Sequence, residues 1–133
     1  MIHLDTTFLV DLLRESRRGP GPATSFLRSV QEDDRWISLH ALCELEAGAE
    51  LSRNPERERQ AIELACSGLN VVLPGEELPL VYGRVLATLQ RNGQIISTMD
   101  LLIAASALID EAPLVTRNMD HFSRVPGLRV LSY

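Results

Sequence analysis

The chain opens with Met1-Ile2-His3-Leu4-Asp5-Thr6-Thr7, a short apolar run that stops at an acid and two hydroxyl residues. Four residues are too few for a helix, and an apolar run of this length is typical of a strand that is buried on both faces. Apolar residues then recur at helical spacing from Phe8 to Leu13. This start therefore predicts a buried strand that leads directly into a helix, with Asp5 at the junction and Thr6 or Thr7 as the helix cap.

Further short apolar runs alternate with helical patterns along the rest of the chain. We predict strands over residues 36–39, 69–73, 113–116 and 128–131. We predict helices over residues 23–32, 40–53, 56–65, 76–91 and 100–109, and a turn or short helix over 117–122. Strands that alternate with helices indicate an α/β domain with a mainly parallel sheet and helices on both faces.

The composition is that of one acidic globular domain. The 133 residues include 13 basic residues, all of them arginine, against 18 acids, for a net charge of -5. This balance excludes a protein that coats nucleic acid by bulk charge, but it allows a site where a few carboxylates hold a cation. The start of the chain lacks the pattern of a signal peptide, and no apolar run approaches the ~18 residues of a membrane span. We expect a cytoplasmic protein whose two cysteines, Cys43 and Cys66, are reduced core residues.

Several polar residues fall where predicted strands end, at the edge of the sheet where open α/β folds form their ligand crevice. Asp5 follows the first strand, Thr116 to Asn118 follow the strand at residue 114, and Asp100 opens an apolar helix. Glu44 and Glu46 point to different sides of one helix, so only one of them can face the crevice. We expect Asp5, Asp100 and one of these glutamates to converge there.

Converging carboxylates repel one another, which raises their pKa values unless a cation neutralises them. Mg²⁺ and Mn²⁺ prefer carboxylate and water oxygens and bind substrate phosphates. The pattern is therefore typical of phosphodiester cleavage, in which the metal lowers the pKa of a water molecule and offsets transition-state charge. His3, His40 and His121 lack metal-ligand spacing, and we expect them to be structural.

Five motifs, taken in order, resemble those of the PIN-domain ribonucleases, and above all their VapC toxin branch. The motifs are I-x-L-D-T-T at 2–7, E-L-x-x-G at 44–48, D-L-L-I-A-A at 100–105, L-V-T-R-N at 114–118 and P-G-L-R-V at 126–130. Each motif alone is weak, but together they span essentially the entire chain. The resemblance implies a single PIN-like domain over residues 1–133, with three α/β/α layers and a mainly parallel central sheet.

The resemblance also implies a magnesium-dependent endoribonuclease toxin, with Mn²⁺ as a substitute ion, from a type II toxin–antitoxin module. Its expected partners are a VapB-like antitoxin, an RNA substrate and a second copy of the chain in a homodimer. The family's acids fall on Asp5, Glu44 and Asp100, of which Asp5 and Asp100 would be the metal ligands.

The sequence differs from the fullest form of the family pattern at one position. Asn118 stands where many PIN domains carry a fourth acid, and Asp120 lies two residues on. A neutral amide contributes no charge, so we expect one tightly held ion and any second ion to arrive with the substrate. Thr6 and Thr116 match positions whose hydroxyls commonly support the site. Arg117 lies beside it as a further supporting candidate, either in contact with a phosphate or as a solvated turn residue.

Alternatives remain open at this point. A non-enzymatic RNA-binding or interaction module with a vestigial site is disfavoured by the presence of all three acids. A phosphatase-like or receiver-type domain that uses Asp5 as phosphoryl acceptor is disfavoured because Thr7 occupies the second position of a D-x-D pair and no late lysine is present. Transfer, ribosomal and messenger RNA all remain as targets. The arginines at 14, 17 and 18 are expected to line either the RNA path or the antitoxin surface.

Overall fold

The computed structural model describes all 133 residues and contains one five-stranded sheet. Its strands are β1 (Ile2–Leu4), β2 (Arg35–Ser38), β3 (Asn70–Val72), β4 (Leu114–Val115) and β5 (Val130–Leu131). The order across the sheet is β3-β2-β1-β4-β5, and every neighbouring pair is parallel. The first strand of the sequence is thus the central strand of the sheet, which confirms the predicted α/β class.

Seven helices connect the strands and complete the three layers. They are α1 (Thr6–Arg18), α2 (Pro22–Ser29), α3 (Leu39–Glu50), α4 (Pro55–Cys66), α5 (Leu78–Arg91), α6 (Thr98–Ile109) and α7 (Met119–Phe122). The helix predicted over 23–32 ends early and is followed by a 3₁₀ turn at Glu32–Asp34. Helix α1 includes Arg17 and Arg18 and ends at Gly19, which has a φ of 114°.

The core lies around the central strands and includes α6 together with the inward faces of α1, α3 and α5. Leu114 and Val115 of β4 are fully buried, and so are Ala104 and Ala105 of α6. Helix α6 packs against α5, and its small side chains allow this close approach. All residues from 101 to 107 except Leu102 are buried, so the apolar helix that Asp100 opens is fixed in the core, and Asp100 lies in its first turn.

The predicted core placement of the cysteines is wrong for Cys43, which is exposed, while Cys66 is partly buried. The buried face of α3 carries Ala41, Leu45 and Ala49, and Cys43 lies about 200° around the helix from Ala41. No helix has the length and apolar character needed to cross a membrane.

The packing of α5 predicts the cost of two matched truncations. Leu89 is fully buried, so Leu89→Ala should lower the free energy of unfolding by about 2–5 kcal/mol. Leu80 lies on the same helix but is 59% exposed, so Leu80→Ala should change it by less than about 0.5 kcal/mol. Urea unfolding followed by circular dichroism measures both, and equal losses would contradict this packing.

Candidate active site

Asp5 is held at the carboxyl edge of the sheet by the register of two strands. Leu4 of β1 pairs with Val115 of β4, so the next residues, Asp5 and Thr116, leave the sheet side by side. The backbone N–H of Asp5 donates to Val115 O at 2.9 Å, which fixes the residue beyond the end of β1. Asp5 is only 2% exposed, although a carboxylate is costly to bury without partners.

Two threonine hydroxyls are those partners. Thr116 Oγ1 donates to Asp5 Oδ2 at 2.6 Å, and Thr7 Oγ1 donates to the same oxygen at 2.9 Å. The two hydroxyls lie 3.1 Å apart, and they accept the backbone N–H groups of Asn118 and Arg117. Asp5 occupies the N-cap position of α1, but its side chain makes no capping hydrogen bond. The carboxylate is therefore oriented by Thr116 from the neighbouring strand end and by Thr7 from the first turn of α1, and not by a capping hydrogen bond.

The two threonines predicted as caps have other roles in the structure. Thr6 Oγ1 donates to Glu44 Oε1 at 2.6 Å, and Thr7 contacts Asp5. The sequence pattern singled out Thr6 and Thr116 as supporting residues but not Thr7. The available signal was its spacing, because Thr7 follows Asp5 by two residues in the first turn of α1.

The pKa of Asp5 is raised above its ordinary value. Burial is the largest cause, and the nearby charge of Asp100 adds to it, while hydrogen bonds from Thr116, Thr7 and the Thr6 backbone oppose the rise. The contribution of Asp100 shows that the two carboxylates lie close enough to interact. A bound cation would relieve both the burial cost and the repulsion.

The carboxylate of Asp100 is free of the helix cap. Ser97 caps α6, and its Oγ accepts the backbone N–H of Asp100 at 3.2 Å. Asp100 Oδ2 instead lies 3.4 Å from His121 Nδ1, and Asn118 Nδ2 lies 2.9 Å from the same nitrogen. Asp100, Asn118 and His121 thus form the second side of the site.

His121 is a site residue that the sequence pattern placed among the structural histidines. It lies three positions after Asn118, and residues at this spacing share one side of a helical turn. Asp120 does not fill the place of a fourth acid, because its side chain is 84% exposed and pairs with Arg124 at 3.1 Å. The signal that could have identified His121 was this i, i+3 relation.

Of the two glutamates of α3, only Glu44 contacts Thr6, the residue that follows Asp5. Glu44 accepts from Thr6, whereas Glu46 is exposed and pairs with Arg59 at 3.6 Å. Glu44 and Thr6 also line a groove of about 370 Å³ between α1, α3 and α4, which runs toward the arginine side chains at 14, 17 and 18. Acidic and basic groups are therefore found in one continuous groove.

The donor set fits a hard divalent cation that keeps several waters. No three side chains of Asp, Glu, His or Cys lie close enough to form a complete protein cage. Asp5 and Asp100 are two carboxylates at one edge of the sheet, and Mg²⁺ is usually bound by one or two carboxylates together with water and substrate phosphate. Both hydroxyls that touch Asp5 donate to Oδ2, and no side chain donates to Oδ1.

Comparison with known proteins identifies the family. Residues 2–128 match the family model of the PIN domain. The chain belongs to the PIN-domain family. This PIN domain is 34% identical over 127 residues to ribonuclease VapC1 of Haemophilus influenzae, which covers 95% of the chain and 92% of the relative. It is 35% identical to the tRNA(fMet)-specific endonuclease VapC of Salmonella typhimurium over 71% of each protein.

A solved structure shows the same fold. The PIN domain aligns with a chain of VapBC2 from Rickettsia felis, bound to a DNA fragment from its promoter, with a TM-score of 0.91 and 28% identity. The alignment covers 100% of this chain and 99% of the other. These matches confirm the predicted three-layer fold and the resemblance to the VapC branch.

The raised pKa of Asp5 predicts a pH dependence of stability in the absence of metal. Because folding raises the pKa of Asp5, the folded state binds the proton of this carboxyl group more tightly than the unfolded state does. The resulting stabilisation is complete below the ordinary pKa of aspartate and is lost as the pH rises through the raised pKa. Thermal unfolding in EDTA should show this decline, and Asp5→Asn should flatten it.

Asp33 is exposed and forms no ion pair, and Asp33→Asn is the matched control that should leave this part of the profile unchanged. A decline of the same size in Asp5→Asn would contradict the assignment of the effect to Asp5.

Proposed function

We propose that this PIN domain is a magnesium-dependent endoribonuclease and the toxin of a type II toxin–antitoxin pair. The observation that carries the proposal is the buried Asp5 carboxylate, which two hydroxyls hold by one oxygen next to Asp100. A domain that only bound RNA would not need a carboxylate kept in this costly state. The family and its relatives named as ribonucleases support the same reading.

Asp5 and Asp100 would hold the divalent cation. When bound, Mg²⁺ or Mn²⁺ supplies a water of lowered pKa and offsets the charge that develops on the phosphate oxygens. Thr7 and Thr116 keep the Asp5 carboxylate in one orientation, and Ser97 leaves the Asp100 carboxylate free by taking the capping role. Because Asp5 and Asp100 are the only carboxylates proposed as ligands, and Asn118 stands in place of a fourth acid, the site would hold one ion tightly.

The remaining polar residues would orient water and substrate. Thr6 fixes Glu44 through a 2.6 Å hydrogen bond, so the Glu44 carboxylate can accept a proton from a water at a defined position. Asn118 supplies a neutral amide, and its contact with His121 limits the movement of both side chains. These groups complete an acidic pocket that disfavours RNA phosphate unless a cation is present.

The RNA would approach along the groove that runs from Thr6 and Glu44 to the arginines of α1. Residues 6 and 17 of α1 are separated by a rise of about 16 Å, long enough to follow two or three phosphates. Arg14 and Arg17 each use one carboxylate partner, Asp11 and Glu58, and remain about half exposed. Because a Salmonella relative is named for its action on tRNA(fMet), transfer RNA is the first substrate class to test.

The proposed partner is a VapB-like antitoxin that blocks the site. Solved relatives from Rickettsia felis and Salmonella typhimurium are VapBC complexes bound to DNA. We also propose a homodimer, which the exposed apolar side chains of Leu51 and Leu64 on the α3–α4 hairpin support.

Cleavage should depend on Asp100 and on a divalent cation. We expect Asp100→Asn to lower the rate of RNA cleavage in Mg²⁺ by at least about 100-fold while thermal unfolding stays cooperative. EDTA should abolish cleavage by the unaltered protein, and calorimetry should show weaker Mg²⁺ binding in the variant.

Glu63 is an exposed acid on α4 with no ion-pair partner, and Glu63→Gln is the control that should cleave normally. Unchanged cleavage by Asp100→Asn, or cleavage that persists in EDTA, would refute the proposed site.

The partner proposal predicts inhibition that can be reversed. The tagged protein, purified from its own host, should carry a small second protein and cleave RNA poorly. Removal of that protein under denaturing conditions, followed by refolding, should release activity, and adding it back should suppress activity again. Full activity before removal, or no effect of adding it back, would contradict an antitoxin role.

A further inference from the structure

Asp11 of α1 lies outside the carboxylate pocket and receives three donors. Tyr133 Oη donates to its Oδ2 at 2.6 Å. Arg117 donates to Oδ1 through Nη1 at 2.7 Å, and Arg14 donates to the same oxygen at 3.2 Å. The Asp11 side chain is only 15% exposed, so this is a partly desolvated cluster and not a freely solvated ion pair.

The ring of Tyr133 is held in place by packing as well as by its hydrogen bond to Asp11. Its ring packs edge-to-face on the fully buried Phe8, with ring centroids 4.8 Å apart and an interplanar angle of 78°. Burial and the adjacent Asp11 raise the pKa of Tyr133 above its ordinary value, so the hydroxyl stays protonated and donates. One oxygen of Asp11 is therefore occupied by a rigid donor, which leaves the other for the arginines.

Arg117 is attached to the site at two points. Its backbone N–H donates to Thr7 Oγ1 at 3.1 Å, and Thr7 in turn donates to Asp5. Its guanidinium is held by Asp11, one helical turn after Thr7, so the side chain runs along α1 beside the pocket. Only one of its five guanidinium N–H groups is used within the chain, and the side chain is 53% exposed.

The charge of the cluster favours an anion. One carboxylate, Asp11, faces two arginines, which leaves a local charge of +1 next to the acidic pocket. An arginine that is already ordered loses less conformational freedom when it engages a phosphate, and its planar fork suits phosphate oxygens.

We propose that Asp11 and Tyr133 are positioning residues that hold the Arg117 guanidinium beside the site, where its free N–H groups bind an RNA phosphate next to the scissile bond. The inference rests on the proposed ribonuclease function and deepens it. It assigns substrate binding to a cluster whose members lie far apart in the sequence, at residues 11, 117 and 133.

A double-mutant cycle on an RNA that the unaltered protein cleaves tests the proposal. Tyr133→Phe keeps the ring on Phe8 and removes only the hydroxyl, so it is cleaner than a change at Asp11, which would alter the charge. We expect Tyr133→Phe to raise KM about threefold to tenfold with kcat within about twofold, and Arg117→Ala to raise KM at least as much. The double variant should match Arg117→Ala, because Tyr133 acts through that residue.

Two results would overturn the proposal. Additive effects of the two changes would show that Tyr133 does not act through Arg117. A lower unfolding temperature of Tyr133→Phe with an unchanged KM would show a purely structural role. Glu50 pairs with Arg59 on the α3–α4 hairpin, and Glu50→Gln is the matched control that should leave KM unchanged. Absence of cleavage by the unaltered protein would instead refute the proposed function itself, and the positioning role with it.

Discussion

The pairing of β1 with β4 is the constraint on which the site depends. Leu4 lies opposite Val115, so Asp5 and Thr116 emerge together, and the 2.6 Å hydrogen bond between them compensates part of the cost of a buried carboxylate. A shift of one residue in this register would turn the carboxylate away from the hydroxyl. The segments that follow these two strands bring Thr7 and Arg117 into contact, whereas Asp100 is positioned separately by α6.

The site exists at some expense to stability. Burial and the charge of Asp100 raise the pKa of Asp5, whereas the rest of the central sheet is apolar and well packed. Three hydrogen bonds oppose the rise but do not cancel it. A divalent cation bound at the site would relieve the repulsion between the two carboxylates, so metal binding and folding would stabilise one another.

The fold and the principal acids could be predicted from the sequence because both depend on local patterns. Short apolar runs define the strands, and an acid directly after a run must lie at the edge of the sheet. The contacts of Thr7 with Thr116 and of Tyr133 with Asp11 could not be predicted in this way. Tyr133 meets Asp11 across 122 residues, and Thr7 meets Thr116 across 109 residues, and only the strand order brings them together. The predicted burial of Cys43 was wrong for a related reason, because a short apolar stretch of a helix does not reveal which side of the helix faces the core.

The location of the charged residues says more about RNA binding than the net charge of the chain does. A net charge of -5 opposes RNA at long range, but salt screens charges beyond a Debye length of about 8 Å, so contacts near the site decide binding. Along α1, the acids of the pocket give way to Arg14 and Arg17, and Asp11 holds Arg117 at the boundary. Such an arrangement would make RNA affinity weak without metal and selective with it, because the cation and a few fixed arginines must engage the same strand together.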